Sequence, residues 1–198
     1  MDVRQKRKSI RLPGYDYSRA GAYFFSICTK DRKCLFGKIV NQEMVLNNAG
    51  SMITNIWNEL PQRFPNIELI ENVIMPNHIH VIIAIVGVPL VGTLKTVCDS
   101  PKRADTRPAP TAGLGDIISA FKSISTHEYI KGVKQHGWTP FPGKLWQRNY
   151  YEHIVRNEKE LTRIREYIRN NPAQWDTDKD NPFTQAFGNR SDIFMEGK

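Results

Sequence analysis

The chain has 198 residues, which is enough for one domain with a hydrophobic core and too few for two of ordinary size. Its 28 Lys and Arg residues outnumber 20 Asp and Glu residues, so the formal charge is +8, while 40% of the residues are hydrophobic and 24% are charged. These proportions exclude wholesale disorder and favour a polyanionic partner. The longest apolar run, residues 81–86, is far too short to span a bilayer.

Residues 1–20 form a basic N-terminal segment, whose charges are Arg4, Lys6, Arg7, Lys8 and Arg11. No apolar stretch follows these charges, so the segment does not resemble a secretory signal, and we expect a cytoplasmic protein. It could be an arm that lies along a phosphate backbone or simply a solvated tail. The three cysteines are odd in number and lack C-x-x-C spacing, which argues against a disulfide framework and a thiolate zinc site.

The first half of the chain predicts strands around one helix. Residues 23–29 are aromatic and β-branched and predict a strand, and residues 37–46 hold two short apolar stretches that predict a hairpin. Apolar side chains recur at helical spacing over residues 51–64. Residues 67–75 and 78–86 are strongly β-prone runs joined by a Pro-Asn turn, so we expect them to pair antiparallel.

The second half predicts a loop, a helix, a strand and a last helix. Residues 87–113 are rich in proline and glycine without any period, which is typical of a long mobile loop. A 3.6-residue period returns over residues 114–130, and residues 145–155 have the composition of a strand. A capping box at Asn157 begins the last helix, and Pro172 ends it.

This order of elements is typical of an α+β fold of ferredoxin-like type, a sandwich in which helices pack on one face of an antiparallel sheet. We expect one main domain over residues 21–175, interrupted by the mobile loop 87–113. Residues 176–198 are polar and we expect them to form an accessory C-terminal tail.

His78 and His80 are the sharpest chemical feature of the sequence. A strand sends residues i and i+2 to the same face, so the two imidazoles would project side by side, while apolar residues on the other face anchor the strand. Two neutral imidazoles so placed make half of a metal site. Such a pair also arises by chance, so the spacing alone is a weak motif and an incidental pair is the alternative.

The last helix offers a candidate third ligand with a companion. Tyr167 and Asn171 are four residues apart and therefore share one helix face, so a phenol and an amide oxygen would approach the same point. Periodicity alone favours a core position for Tyr167, because it borders the apolar stripe of this helix. Asn171 could equally be an ordinary residue at the helix C-terminus.

Three stretches of the sequence form a specific combination: VIMPNHIHVII, LWQRNYYEHIVRN and EYIRNNP, in that order and with the helix FKSIS after the first. Together they resemble the single-tyrosine HUH transposases, and most closely the REP-associated tyrosine transposases of bacteria. The similarity covers roughly residues 23–175. The resemblance also implies a ferredoxin-like sheet.

The resemblance implies roles for the candidate residues. His78 and His80 would bind a divalent metal, Mg²⁺ or Mn²⁺, with Asn171 as the third ligand, and Tyr167 would be the catalytic nucleophile. The implied enzyme cleaves and rejoins single-stranded DNA that carries hairpins or palindromic repeats, through a 5′-phosphotyrosine intermediate. We expect it in the bacterial cytoplasm, on the nucleoid when bound to DNA.

The excess of positive charge would serve DNA binding, since each neutralised phosphate adds salt-dependent affinity. Besides the five basic residues of the N-terminal segment, the candidate contacts are Lys122, Trp146, Arg148, Tyr151 and Arg156. The aromatic members could stack on bases, although strand alternation sends some of them to the core. Glu152 and His153 could provide a substitute metal ligand or support the histidines, or they could form a structural hydrogen bond.

Two other functions fit the same residues. A histidine-metal phosphodiesterase would hydrolyse its substrate with a metal-activated water and leave Tyr167 structural. A non-catalytic single-stranded nucleic-acid-binding module would use exposed aromatic side chains and leave the histidine pair incidental. The sequence leaves a monomer and a homodimer both open.

Overall fold

The computed structural model describes residues 15–86 and 112–184, so most of the predicted loop and of the basic N-terminal segment lies outside them. Within these ranges the predicted order of elements is confirmed. In chain order the strands and helices are β1 Gly21–Cys28, β2 Gly37–Val40, β3 Glu43–Leu46, α1 Asn48–Arg63, β4 Ile67–Ile74, β5 His78–Ile85, α2 Leu114–His136, β6 Tyr151–Val155 and α3 Glu158–Asn170. None of the helices described is both long enough and apolar enough to cross a membrane.

Four strands form one antiparallel sheet in the order β4–β5–β1–β6. The two central strands, β5 and β1, are therefore hydrogen-bonded on both sides, and β5 carries the histidine pair. The strands β2 and β3 make a separate hairpin. Its turn residues Asn41 and Gln42 have φ values of 52° and 65°, which is the left-handed conformation that a two-residue hairpin turn requires.

Side-chain alternation along β1 and β5 divides the sheet into two faces. One face, which includes Phe25 and Val81, packs against α1 and α2 and forms the main core. The other face is smaller: Phe24 and Ile82 pack against the buried residues of α3. The α+β sandwich with an antiparallel sheet is thus confirmed. The exception to the expected one-face arrangement is α3, which covers the second face because that face also carries apolar side chains.

Local signals set the N-termini of α1 and α3. The side chain of Asn47 accepts a hydrogen bond from the N–H of Gly50 and caps α1. One half of the predicted capping box of α3 is present, since the side chain of Asn157 accepts from the N–H of Glu160 at 2.9 Å. The carboxylate of Glu160 accepts from the N–H of Arg156 and not from that of Asn157. The predicted strand 145–155 was too long, because residues before Tyr151 leave the sheet and form an irregular loop.

Ile168 holds α3 against the sheet and has no exposed area. Replacing it in Ile168→Ala should lower the free energy of unfolding by about 2–5 kcal/mol, because buried methyl groups are lost and a cavity forms beneath α3. The matched control Ile130→Ala changes an isoleucine of α2 that is 39% exposed, and should cost less than about 1 kcal/mol. Urea unfolding followed by circular dichroism measures both, and equal losses would contradict this packing.

Candidate active site

His78 and His80 project from β5 toward α3, on the smaller face of the sheet, as the strand alternation predicts. Both side chains are buried, and their Nε2 atoms lie 3.0 Å apart. Burial lowers the pKa of both imidazoles, and that of His80 falls well below its usual range. Both rings are therefore neutral at neutral pH, the state in which an imidazole binds a metal.

Asn77 fixes the tautomer of His78. Its side-chain N–H groups donate to the carbonyl oxygens of Arg32 at 2.9 Å and Asp180 at 2.7 Å. The amide oxygen of Asn77 must therefore face His78, whose Nδ1 lies 2.8 Å away. It follows from this network that His78 donates its Nδ1–H to Asn77 and keeps a lone pair on Nε2.

Ser26 on β1 provides the corresponding contact for His80. The Oγ of Ser26 lies 2.5 Å from Nδ1 of His80. If His80 donates Nδ1–H to this hydroxyl, its Nε2 lone pair faces that of His78. Two neutral acceptors at 3.0 Å repel each other unless a cation stands between them, so this geometry suits a metal ion.

Tyr167 reaches the histidine pair from α3. Its Oη lies 3.2 Å from Nε2 of His80, and its ring packs edge-on against Phe24. The side chain is only partly buried, so it is not sealed in the core. Burial, with smaller contributions from the carboxylates of Asp178 and Asp180, raises the pKa of this phenol. The phenol therefore keeps its proton at neutral pH unless positive charge is brought close to it.

Two oxygen donors complete the site. Among the described residues, the buried Oδ1 of Asn171 has no hydrogen-bond partner, which is costly for an amide oxygen unless a cation or water satisfies it. The carboxylate of Asp178 lies 3.9 Å from Nε2 of His78. The ligand atoms of His78, His80 and Asp178 all lie within 4.8 Å of one another. Imidazole nitrogens together with hard oxygens form a donor set that could hold a divalent metal ion.

The sequence analysis missed Asn77 and Asp178. Asn77 was interpreted only as part of a tight turn, and Asp178 lies in the segment that we expected to be an accessory tail. Residues 176–184, the part of that segment that the structure describes, instead fold back: a 3-10 helix, Pro172–Thr177, follows α3, and Oδ1 of Asp178 accepts the N–H of Asp180 at 2.7 Å. No local pattern in the sequence marks these two residues as neighbours of the histidines.

The ammonium group of Lys122 is bound within the protein and does not project toward a DNA ligand. Its ammonium group donates to the carbonyl oxygens of Gln147 at 2.9 Å and Arg148 at 3.3 Å. Burial lowers the pKa of Lys122 to about 8. The side chain therefore tethers the loop before β6, and this role corrects the sequence-based assignment.

Trp146 is also buried, contrary to the expected role in stacking on bases. It is 4% exposed, and its indole N–H donates to the hydroxyl of Ser125 at 2.9 Å. Tyr151 is partly buried beside Phe24 on the site face, with ring centroids 6.0 Å apart. Arg148 and Arg156 are exposed, whereas the five basic residues Arg4, Lys6, Arg7, Lys8 and Arg11 lie outside the described residues.

Glu152 and His153 are not part of the group of possible metal ligands, His78, His80 and Asp178, which we call the metal group. Glu152 is paired with Phe25 on β1, and directly opposed residues share a face, so its side chain lies on the α1–α2 side of the sheet. The Nε2 of His153 lies 2.8 Å from a carboxylate oxygen of Glu160 on α3. The expected support of the histidines by these two residues is therefore wrong, and the alternative of a structural hydrogen bond holds for His153.

The tethering role of Lys122 predicts a pH dependence of stability. Burial lowers its pKa from the ordinary 10.5 to about 8, so between these pH values the unfolded chain binds more protons at this residue than the folded chain. The folded state therefore gains stability from this residue as the pH rises from 8 to 10.5. The free energy of unfolding of the wild type, relative to Lys122→Met, should increase over this range.

Urea unfolding at several pH values measures this difference. The control is Lys131→Met on the same helix, where an exposed lysine forms a surface ion pair with Glu128 at 2.8 Å. The increase with pH should be larger for the difference between wild type and Lys122→Met than for the difference between wild type and this control. Equal pH dependence of the two differences would contradict the burial of the Lys122 ammonium.

The His–His–Asp group predicts that Asp178 contributes to metal affinity. Asp178→Asn removes a carboxylate charge next to the histidines and should weaken Mn²⁺ binding at least about tenfold. Asp176→Asn is the matched control, because this residue is exposed on the 3-10 helix that ends just before Asp178 and should leave the affinity unchanged. Titration calorimetry with Mn²⁺ compares the two, and equal affinities would remove Asp178 from the site.

The chain is similar to known proteins in sequence and in fold. No family model matches the chain. An uncharacterized protein of Haemophilus influenzae is 40% identical over 177 residues, which is 87% of this chain and 92% of that protein. A second Haemophilus influenzae protein, described as "Putative REP-associated tyrosine transposase", is 21% identical over 160 residues, 80% of this chain and 74% of that protein.

Among solved structures, a REP-associated tyrosine transposase bound to a REP hairpin matches with a TM-score of 0.52 at 19% identity. The match covers 83% of this chain and 73% of that chain. The resemblance indicated by the sequence motifs is thereby confirmed. The chain belongs to one family with the 40% identical Haemophilus influenzae protein, and its fold is that of the REP-associated tyrosine transposases.

Proposed function

We propose that the protein is a metal-dependent transposase of the HUH type, which cleaves and rejoins single-stranded DNA through a phosphotyrosine intermediate. The observation that supports this most strongly is the 3.2 Å distance between the phenolic oxygen of Tyr167 and the imidazole of His80. The candidate nucleophile on α3 therefore lies next to the buried pair of neutral imidazoles on β5.

The proposed reaction is a transesterification. Tyr167 Oη attacks the phosphorus of one DNA phosphodiester, so that a bond forms between the phenol and the 5′-phosphate while the bond to the 3′-oxygen breaks. The phenol loses a proton and the leaving 3′-oxygen gains one. Because the phosphotyrosine keeps the energy of the broken ester, a second 3′-hydroxyl can reverse the step and join strands.

The donor set of the site fits a divalent cation, which His78, His80 and Asp178 would hold together with the amide oxygen of Asn171. When bound, such an ion would act as a Lewis acid on a phosphate oxygen. We propose Mg²⁺ or Mn²⁺, because carboxylate and amide oxygens accompany the imidazoles. The raised pKa of Tyr167 is consistent with this arrangement, since the developing phenolate needs positive charge nearby.

The proposed substrate is DNA that contains hairpins or palindromic repeats. A related transposase was solved with a REP hairpin bound, and this chain carries a formal charge of +8. A strongly basic protein attracts a polyanion through counterion release, which provides affinity without sequence readout. The bacterial cytoplasm, on the nucleoid, is the compartment in which such an enzyme would act.

The nucleophile can be tested directly. Wild-type protein incubated with end-labelled hairpin DNA and Mn²⁺ should form an adduct that survives SDS electrophoresis, because the phosphotyrosine bond is covalent. Tyr167→Phe removes only the attacking oxygen and should abolish the adduct. The control Tyr17→Phe changes a tyrosine that packs against the main core on the other face, and should keep it.

The pattern of products separates the candidate functions. Cleavage without any adduct, retained in Tyr167→Phe, would indicate a metal-dependent phosphodiesterase and overturn the transposase. Binding that yields neither product nor adduct would indicate a non-catalytic DNA-binding module.

A further inference from the structure

A basic groove lies beside the candidate active site, and among its lining residues the sequence analysis named only Trp146 and Arg148 as DNA contacts. It is formed by the turn after β1, at Lys30–Arg32, and by residues 142–149 before β6, and has a volume of about 750 Å³. Four exposed cations line it against a single exposed carboxylate, and these side chains are Lys30, Asp31, Arg32, Lys144 and Arg148. The groove therefore has a net positive charge and suits an anionic ligand.

The two walls of this basic groove are tied to each other by backbone hydrogen bonds. The N–H of Lys30 donates to the carbonyl of Leu145 at 2.7 Å, and the N–H of Gln147 donates to the carbonyl of Cys28 at 2.9 Å. The ammonium group of Lys122 adds its contacts to the same loop. The groove is therefore pre-formed, which reduces the entropy lost when a flexible ligand binds.

The basic groove is also connected to the candidate active site. The guanidinium Nε–H of Arg32 donates to Asp180 at 3.1 Å, and the N–H of Asp180 donates to Asp178 of the metal group. The carbonyl of Arg32 accepts from the side chain of Asn77, the residue that orients His78. Two successive hydrogen bonds thus connect Arg32 of the groove to Asp178, and two others connect it to His78.

We propose that this basic groove binds the sugar-phosphate backbone of the single strand adjoining the scissile phosphate. This proposal rests on the proposed function and adds the surface on which the DNA substrate would bind. The groove volume of about 750 Å³ is of the size of a few nucleotides of single strand. The guanidinium of Arg32 has further N–H donors beyond the one given to Asp180. Because Trp146 is buried beneath the groove, binding there depends on phosphates and not on base stacking.

The test neutralises two groove cations in Lys144→Gln/Arg148→Gln. The matched control, Lys38→Gln/Arg63→Gln, removes the same charge from exposed residues of the hairpin and α1 that do not line the groove. Fluorescence anisotropy measures binding of a hairpin oligonucleotide with single-stranded flanks, in a chelator and over a range of KCl concentrations. Thermal unfolding checks that both variants fold as the wild type does.

Two lost phosphate contacts should make the negative slope of log K against log salt less steep by about 1.4, since each contact to single-stranded DNA contributes about −0.7. The same change corresponds to an affinity loss of about 25-fold at 0.1 M salt. The control double variant should lose less than about threefold. On a blunt duplex the two double variants should bind alike.

The outcomes distinguish the two proposals. If the wild type binds no single-stranded DNA, both the proposed function and the groove fail. If the wild type binds and both double variants lose affinity equally, the groove proposal is overturned while the transposase function stands. If Lys144→Gln/Arg148→Gln lost as much affinity for the blunt duplex as for the hairpin with single-stranded flanks, and the control double variant did not, the assignment of the groove to a single strand would be overturned.

Discussion

The close approach of two neutral imidazoles is the constraint on which the site depends. The Nε2 atoms of His78 and His80 lie 3.0 Å apart in a buried position, and Asn77 orients His78 so that its Nε2 lone pair faces His80. If His80 donates its Nδ1–H to Ser26, its own Nε2 is a second acceptor at the same point, next to the phenol of Tyr167. A cation at this point would bind both lone pairs, and the surrounding side chains hold the rings in place and offer further oxygen ligands.

The second face of the sheet makes this arrangement possible. In this ferredoxin-like order of elements, α1 and α2 pack against the face of the sheet that forms the main core. Helix α3 packs against the apolar side chains of the other face, Phe24 and Ile82. This small cluster orients α3, and Tyr167 borders it at the point where His80 emerges. Packing of a few apolar residues therefore sets the position of a chemical group that is separated from His80 by 87 residues.

Asn77 connects the site to its surroundings. Its side chain orients His78 and also donates to the carbonyls of Arg32 and Asp180, so one amide joins the metal group, the turn after β1 and the segment after α3. The same turn forms one wall of the basic groove. A DNA strand bound in that groove would therefore be held in a defined position relative to Tyr167, which is what in-line attack on a phosphate requires.

Local patterns determined much of this protein from the sequence by itself: the order of strands and helices, the cap at Asn157, the shared face of the histidine pair and the shared helix face of Tyr167 and Asn171. Each depends on residues a few positions apart, where backbone geometry dictates which side chains are neighbours. Only the tertiary structure decided that α3 covers the second face, that Trp146 and Lys122 turn inward, and that Asp178 meets His78. These placements arise from packing between segments distant along the chain, and no local spacing encodes them.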